Sequence, residues 1–370
     1  GNGSYSTADS YVKQVWDGRY TGIRMCNQLL ENIDRVPDLD PELKKRYIGE
    51  AKVLRAYSYY ELYTKFGDIP YTTKVLSIKE SMSIARTAKA TVIANVLADL
   101  DEVINGNYLP TSYDADNKGR ITRWAAMAIK AKIYLFEGNW TQVKNITSTI
   151  MTEGGFKLFG SYAGLFEIAN EYNSEVILDA QYRPTSREHQ MMYVFLPPTL
   201  GGYSQLSPLQ ELVDSYIMLD GKTIKETGTS FDESHPYANR DPRLKATVMY
   251  TGNSYTLADG TEVVINCEKG EGKDGYGVGS DCSATGYYIK KYWDNTYRAT
   301  LYSGLNPILI RYADILLMNA EALAELGELD KTAWDATIKP IRDRAGFTLA
   351  SALEFPEGAS KDKLIEIVRN

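Results

Sequence analysis

The sequence has few residues of several types, and each shortage excludes a class of protein. Its 370 residues include only two histidines, His189 and His235, which leaves little room for histidine-based metal sites or catalytic triads. No apolar run approaches the roughly 20 residues that a membrane-spanning helix needs. The net charge is −7, from 41 basic and 48 acidic residues. This balance argues against a nucleic-acid-binding protein, which needs a basic surface.

Phenylalanine is also scarce, with nine residues against 28 tyrosines and five tryptophans. Aromatic rings that have a polar group suit surfaces that are partly in contact with water. The apolar content of 44% and the charged content of 24% are those of an ordinary folded protein. The sequence therefore predicts a large folded chain with aromatic side chains at its surface.

The three cysteines leave the redox compartment open. Cys26 lies within a helical pattern, which indicates a small buried apolar residue. Cys267 and Cys282 flank a glycine-rich segment, where they either form a disulfide, which would imply an oxidising compartment, or stay free.

Apolar spacing and end signals predict helices at both ends of the chain. The predicted helices cover residues 11–34, 41–66, 89–104, 123–137, 307–326 and 332–344, and a further one begins near Trp140. Asp40 and Pro41 form a helix start, and Gly67 ends that helix. Residues 152–305 are instead rich in Gly, Pro and Tyr, with short β-prone runs such as 175–182.

Two helical stretches repeat. Residues 131–140 align with residues 320–329, and each contains a helix that ends at a glycine, Gly138 or Gly327, before a second helix begins. Small residues on the packing side let paired helices approach closely, as in tetratricopeptide units. We therefore predict a mainly α fold of tetratricopeptide-like helix pairs, with a large loop-rich insertion that has little β structure. Loops on a rigid scaffold are where a binding site is expected.

The sequence contains neither the Gly-x-Ser-x-Gly nor the His-Glu-x-x-His motif. Residues 114–125 begin like a calcium loop, but Ala125 stands where a bidentate Glu is required. Residues 270–279 are glycine-rich without the Gly-Lys-Ser/Thr ending of a phosphate loop, so we interpret them as a surface loop. We predict no catalytic residues, no metal and no cofactor. Glu50, Arg55, Glu321, Arg342 and Arg344 are interpreted as partners in structural ion pairs or helix caps.

An aromatic cluster is the most informative feature of the loop-rich region. It consists of Tyr276, Tyr287, Tyr288, Tyr292, Trp293, Tyr297 and Tyr302, with the polar neighbours Asp294, Asn295 and Arg298. A flat ring can cover the apolar face of a sugar while polar neighbours bond to its hydroxyl groups. Ordinary strand packing explains part of the same pattern, so both interpretations stay open for each residue.

Several blocks, in order along nearly the whole chain, resemble one family. They are Trp16, Tyr20, Ile23 and Asn27, followed by residues 50–62, 66–70, 119–126, 135–140, 215–221, 239–243, 286–292, 311–322 and 341–346. These blocks resemble the SusD/RagB family of surface glycan-binding lipoproteins of Bacteroidetes. The family's lipid-anchored cysteine, first helix and C-terminal block are not found here, so we expect the chain to be a piece of a longer protein.

The resemblance implies a SusD-like α-superhelix and a single domain over residues 1–370. Within it we expect a helical part at 1–151, a ligand-binding insertion at 152–305 and a second helical part at 306–370. It also implies non-catalytic binding of a polysaccharide or oligosaccharide at the outer membrane, and delivery of that glycan to a SusC-like TonB-dependent transporter. Contact with the membrane would be through a lipid anchor alone.

The family motifs are mostly scaffold residues, so the predicted ligand contacts come from loops outside them. They are Tyr71, Tyr203, Tyr276, Trp293 and Asn295. Trp16, Trp124, Trp140 and Trp334 lie in helical motifs and are assigned to packing. Two alternatives remain: a tetratricopeptide-type adaptor that binds a peptide, protein or glycopeptide, and a glycoside hydrolase whose paired carboxylates the sequence does not reveal.

Overall fold

The structure is a computed structural model that describes residue 6, residues 9–297 without the side chain of Tyr297, and residues 300–370. Arg298, a polar member of the predicted aromatic cluster, lies outside the described residues, as does the ring of Tyr297. The described chain is mainly helical, with short strands in its second half. This confirms the predicted fold class.

Fourteen α-helices occur in the described residues. They are α1 Ser10–Asn32, α2 Pro41–Phe66, α3 Ile78–Ser83, α4 Lys89–Asn105, α5 Arg123–Phe136, α6 Trp140–Glu153, α7 Met191–Phe195, α8 Gln210–Ser215, α9 Pro242–Thr247, α10 Tyr312–Leu326, α11 Lys331–Ala336, α12 Ile338–Ala345, α13 Ala350–Leu353 and α14 Lys361–Arg369. Short 3₁₀ turns occupy Ile33–Arg35, Ala115–Asn117, Gly164–Phe166, Ile168–Asn170, Pro198–Leu200 and Asn295–Tyr297.

The chain divides into two compact units, Gly1–Gly155 and Phe156–Asn370. The prediction of one domain in three parts, with boundaries at 151/152 and 305/306, stays a prediction.

The first unit is a set of packed helices. Helix α1 packs on α2, α2 on α4, α4 on α5, and α5 on α6. Asp40 caps α2 by accepting a hydrogen bond from the Leu43 amide at 2.8 Å, and α2 ends at Gly67, whose φ of 68° favours glycine. Helix α5 also ends close to a glycine with a positive φ, Gly138, and α6 begins directly after it. The predicted helix bounds and the helix–turn–helix pair are therefore confirmed here.

The second unit combines a helical end with a loop-rich stretch. Helix α10 packs on α11, α12 and α14 around a core that contains Trp334, which is 1% exposed. The six strands are β1 Val176–Asp179, β2 Val248–Met249, β3 Ser254–Thr256, β4 Glu262–Val264, β5 Tyr288–Ile289 and β6 Ile308–Arg311. They form three antiparallel pairs, β1 with β6, β2 with β5, and β3 with β4.

Two helix predictions were wrong. The single helix predicted at 332–344 is two helices, α11 and α12, which are separated at Thr337. The start of α10 was also misplaced. Residues 307–311 were assigned to the start of a helix, but Ile308–Arg311 is strand β6, and α10 begins at Tyr312. Strand β6 pairs with β1, where Val176 is opposite Arg311. An apolar run of this length fits either element by spacing alone, and the partner strand more than a hundred residues away decides between them.

The structure supports the interpretation of the five charged residues as structural. The Arg55 guanidinium bonds to Asp99 at 2.6 Å and to Asn27 at 2.8 Å. Glu50 accepts from Arg120, Glu321 accepts from Arg369, and Arg344 donates to Glu175. Arg342 donates to the Ala352 carbonyl at 2.6 Å.

Within the described residues, no helix is both long enough and apolar enough to cross a membrane.

Candidate functional site

An open cavity of about 590 Å³ lies in the second unit and contains two of the predicted contact residues, Trp293 and Asn295. It is also lined by Phe166, Thr256, Tyr292, residues 167–169, residues 290–291, residues 294–296 and part of α9. Its aromatic, amide and charged groups are of the kinds that recognise polar ligands with apolar faces.

The indole of Trp293 is held in place by the β3–β4 hairpin. Its Nε1 donates a hydrogen bond to the Thr256 carbonyl at 2.8 Å. The ring of Tyr255 meets it edge-on, with the ring centroids 5.4 Å apart. Tyr255 is fully buried, and its hydroxyl donates to the Ile289 carbonyl at 2.7 Å. Trp293 is thus half-buried on a rigid support, which lowers the entropy that a bound ligand must offset.

The turn that holds Asn295 is built around a buried carboxylate. Asp294 is 4% exposed. Its carboxylate accepts a hydrogen bond from the Ser303 hydroxyl at 2.5 Å and another from the Thr296 amide at 3.1 Å. These two bonds fix the 3₁₀ turn that begins at Asn295, and so they orient the lining residues after Trp293.

Three lysines line the same cavity: Lys245 on α9, and Lys290 and Lys291 directly after β5. The Lys290 ammonium donates to the Asn253 side chain at 3.0 Å, and burial together with repulsion from Lys245 lowers its pKa. The Lys291 ammonium lies 3.9 Å from the centroid of the Phe166 ring, a cation–π contact. Burial lowers the pKa of Lys291 to about 8, and the charge of Arg311 adds to the effect.

A second aromatic surface contains Tyr203, which is 48% exposed. Its ring is nearly parallel to that of Tyr193, with the centroids 5.8 Å apart, and Tyr302 meets Tyr193 edge-on at 6.1 Å. The Tyr203 amide donates to the Tyr193 carbonyl at 2.7 Å. A Cβ on the preceding Gly202 would lie 2.1 Å from the Leu196 carbonyl oxygen, so this turn needs glycine.

The remaining predicted contacts, Tyr276 and Tyr71, line neither the cavity nor this tyrosine surface. Tyr276 is 41% exposed on the glycine-rich loop, which Asp274 anchors by accepting hydrogen bonds from the Thr199 amide and hydroxyl. Tyr71 lies in the first unit with its ring 4.6 Å from that of Tyr59, and burial raises the pKa of its hydroxyl. The role of each in ligand binding stays a prediction.

The structure thus brings Trp293 and Asn295 together and surrounds them with groups that were not predicted as contacts. In the cavity these groups are the three lysines. On the separate tyrosine surface, Tyr193 and Tyr302 were also not predicted as contacts. Two of the lysines could have been predicted as contacts from the sequence, because Lys290 and Lys291 directly precede Tyr292 and Trp293. Tyr193 and Tyr302 meet only through tertiary contacts between distant segments.

Other members of the predicted aromatic cluster are structural. Tyr287 and Tyr288 are buried, and their hydroxyls donate to Gln210 and to the Asp274 carbonyl.

Cys26, Cys267 and Cys282 are all free thiols. Of the two alternatives for Cys267 and Cys282, the structure therefore has the one without a disulfide. Among the described residues, no group of three or more His, Cys, Asp or Glu side chains is placed to hold a metal ion.

A helix-pair scaffold whose loop-rich half presents aromatic and polar side chains around an open cavity defines a class of ligand-binding proteins. Two family models match the chain. The SusD family matches residues 165–370, and a model described as "starch-binding associating with outer membrane" matches residues 2–135. The chain belongs to the SusD family.

Relatives and solved structures agree with this assignment. A SusD-like protein of Formosa agariphila is 32% identical over 166 residues, which are 45% of this chain and 31% of the relative. A second one from that organism is 24% identical over 377 residues, 95% of this chain and 67% of the relative. The crystal structure of a SusD-like carbohydrate-binding protein from Bacteroides fragilis is 27% identical, with a TM-score of 0.84, over 98% of this chain and 70% of that one. The chain therefore spans less than a third of the first relative and about two thirds of the second.

Proposed function

We propose that this chain is a non-catalytic glycan-binding protein that holds a polysaccharide or oligosaccharide in the cavity lined by Trp293 and Asn295. The observation that supports the proposal most is the position of the Trp293 side chain and the way in which it is held. Its indole borders an open cavity, is fixed by its bond to the Thr256 carbonyl, and has an amide side chain two residues away. A sugar ring would place its apolar face on the indole and bond to Asn295 through a hydroxyl group.

The tyrosine surface would supply a further contact for a long glycan. Tyr193 and Trp293 both pack against one buried cluster of the second unit, so Tyr203 and Trp293 belong to a common rigid support. Several weak contacts along one polymer raise the overall affinity through the effective concentration of the second contact. We propose Tyr203 as such a contact and Tyr276 as an additional one. Tyr71, in the first unit, is proposed as a ligand contact in its own right.

Family membership supports a role at the cell surface. The matching model for residues 2–135 is described by association with the outer membrane, and the similar structure from Bacteroides fragilis is called carbohydrate-binding. We propose that the protein is an outer-membrane lipoprotein exposed at the cell surface. We propose further that it delivers its glycan to a SusC-like TonB-dependent transporter, with no cofactor.

The test is retardation of the purified protein in native gels that contain plant, host or microbial polysaccharides, with a reducing-sugar assay on the same mixtures. We expect retardation by at least one glycan without release of reducing ends. Release of reducing ends by the purified protein would contradict the non-catalytic assignment. A folded protein that no glycan retards, but that binds peptides, would favour the adaptor alternative.

The substitution Trp293→Ala should weaken binding of the retarding glycan about 10- to 100-fold, because loss of a central aromatic contact typically costs about 2 kcal/mol or more. Isothermal titration calorimetry measures the change. Tyr11→Ala is the matched control, since Tyr11 is 61% exposed on α1 and is not one of the proposed contacts. If Trp293→Ala folds and binds as tightly as the Tyr11→Ala control, the assignment of the cavity is wrong.

A further inference from the structure

The cavity beside Trp293 contains more positive charge than a neutral sugar needs. Lys245, Lys290 and Lys291 all line it, although the whole chain has a net charge of −7. Hydroxyl groups of a neutral glycan are recognised well by amides and carboxylates. A group of ammonium ions beside an aromatic face instead suits a sugar that has an anionic substituent.

In the described part of the chain, these lysines have no direct ion-pair partner. Within the described residues, no ion pair within 4.0 Å involves Lys245, Lys290 or Lys291. Other lysines with little exposure are paired: Lys52 with Asp99 and Glu102, and Lys130 with Asp101. An ammonium has three donors, and Lys290 uses one on Asn253. Donors therefore remain for a ligand.

The two acidic residues that line the cavity have other partners. Asp294 is buried, with hydrogen bonds from Ser303 and Thr296. Glu167 is exposed and accepts from the Asn170 side chain at 3.4 Å. Glu262 opposes the lowering of the pKa of Lys290, and its carboxylate accepts hydrogen bonds from the neutral hydroxyls of Ser254 and Thr256. It therefore offsets part of the positive charge. Within the described residues, however, it forms no ion pair with any of the three lysines, so their ammonium groups stay open to direct contact with a ligand.

We infer that the ligand is an anionic glycan, whose carboxylate or sulfate groups bind Lys245 and Lys290 while a sugar ring lies on Trp293. This inference rests on the proposed glycan-binding function and names its substrate class. Lys290 is a partly buried charge without an acidic partner; such a charge weakens the fold, and an anionic ligand removes that cost on binding. The same charge gives selectivity, because a neutral glycan leaves the lysines without partners.

The experiment compares uronate-rich and sulfated polysaccharides with their carboxyl-reduced or desulfated forms, and with neutral dextran, by titration at low and high salt. We expect binding of an anionic form, loss of that binding when the charge is removed, and weaker binding in high salt. Whether carboxyl reduction or desulfation abolishes binding identifies the anionic group.

The double variant Lys245→Gln/Lys290→Gln should weaken binding of the anionic glycan about tenfold or more, since each hydrogen bond between charged groups contributes about as much as a tenfold change in affinity. Lys79→Gln/Lys361→Gln is the matched control, because it removes the same charge from exposed positions and should leave affinity unchanged.

Three results would overturn the inference. Equal binding of the neutral and anionic forms, with no effect of the double variant, would refute it and leave the proposed function standing. Complete competition by inorganic sulfate, with no effect of Trp293→Ala, would show an ion site and not a glycan site. Binding of no polysaccharide at all would remove the proposed function and this inference together.

Discussion

The substitution Glu175→Ala is expected to lower the free energy of unfolding by about 3–5 kcal/mol, the usual cost of removing one partner of a buried ion pair. Glu175 is fully buried, and each of its carboxylate oxygens has a cationic partner. Oε1 accepts from Arg311 at 2.8 Å, and Oε2 accepts from Arg344 at 2.8 Å. Urea denaturation followed by circular dichroism measures the change.

The effect should be large because Glu175 joins several segments of the second unit. It directly precedes β1, Arg311 ends β6, and Arg344 lies on α12. The Phe159 amide donates to the same carboxylate at 2.7 Å. Removal of the carboxylate would leave two guanidinium groups and one amide without their acceptor in a poorly hydrated place.

The control for Glu175→Ala is Glu321→Ala, which also breaks a pair with an arginine. Glu321 accepts from Arg369 at 2.7 Å, but the two side chains are 22% and 49% exposed. Exposed pairs typically contribute about 0–1 kcal/mol, so this variant should be nearly as stable as the original chain. Equal losses of stability in the two variants would refute the structural role given to Glu175.

The substitution Lys291→Met is expected to stabilise the fold at pH 7 by about 2 kcal/mol, because a tenfold change in a protonation equilibrium corresponds to about 1.4 kcal/mol. Burial holds the pKa of Lys291 at about 8, below its ordinary value of 10.5. The charged groups that act on it are Arg311, which lowers the pKa, and Asp314 and Glu175, which raise it. At pH 7 the fold therefore holds a charge in a place that disfavours it.

The pH dependence of this gain follows from proton binding. Between pH 8 and about 10.5 the folded chain binds fewer protons at Lys291 than the unfolded chain does, so the stability of the original protein rises with pH in that window. Below pH 8 both states are protonated and the cost of the buried charge is fully present. The advantage of Lys291→Met should thus be largest at pH 7 and mostly lost by pH 10.

Urea titrations of both proteins at pH 7 and pH 10 test this expectation, with Lys79→Met as a control at an exposed position. A Lys291→Met variant that is less stable than the original at pH 7 would show that the ammonium stabilises the fold through its contact with Phe166. A gain in stability together with weaker glycan binding would indicate that Lys291 is kept for function at the expense of stability.

Local signals predicted much of the helical scaffold. The cap at Asp40, the proline at position 41 and the glycine at position 67 mark the ends of α2, because these residues act on the backbone of their own neighbours. Strand β6 could not be separated from α10 in this way. Its three apolar residues suit a helix as well as a strand, and its pairing with β1 depends on a distant segment.

The candidate site was predictable to the extent that its residues are close in sequence. Trp293 and Asn295 are two residues apart in the sequence, so a prediction from local composition placed them together. Lys245 reaches the same cavity from α9, and Tyr193 meets Tyr302 across more than a hundred residues. Such contacts depend on how the loops fold over their shared core, and no local pattern in the sequence specifies the course of these loops.

The most direct test of the central claim is a crystal structure of the protein with an oligosaccharide from the polysaccharide that retards it. The account predicts a sugar ring against the indole of Trp293, at about 4 Å, with a hydroxyl group within hydrogen-bond distance of Asn295. An oligosaccharide bound elsewhere, with the cavity beside Trp293 empty, would contradict the account.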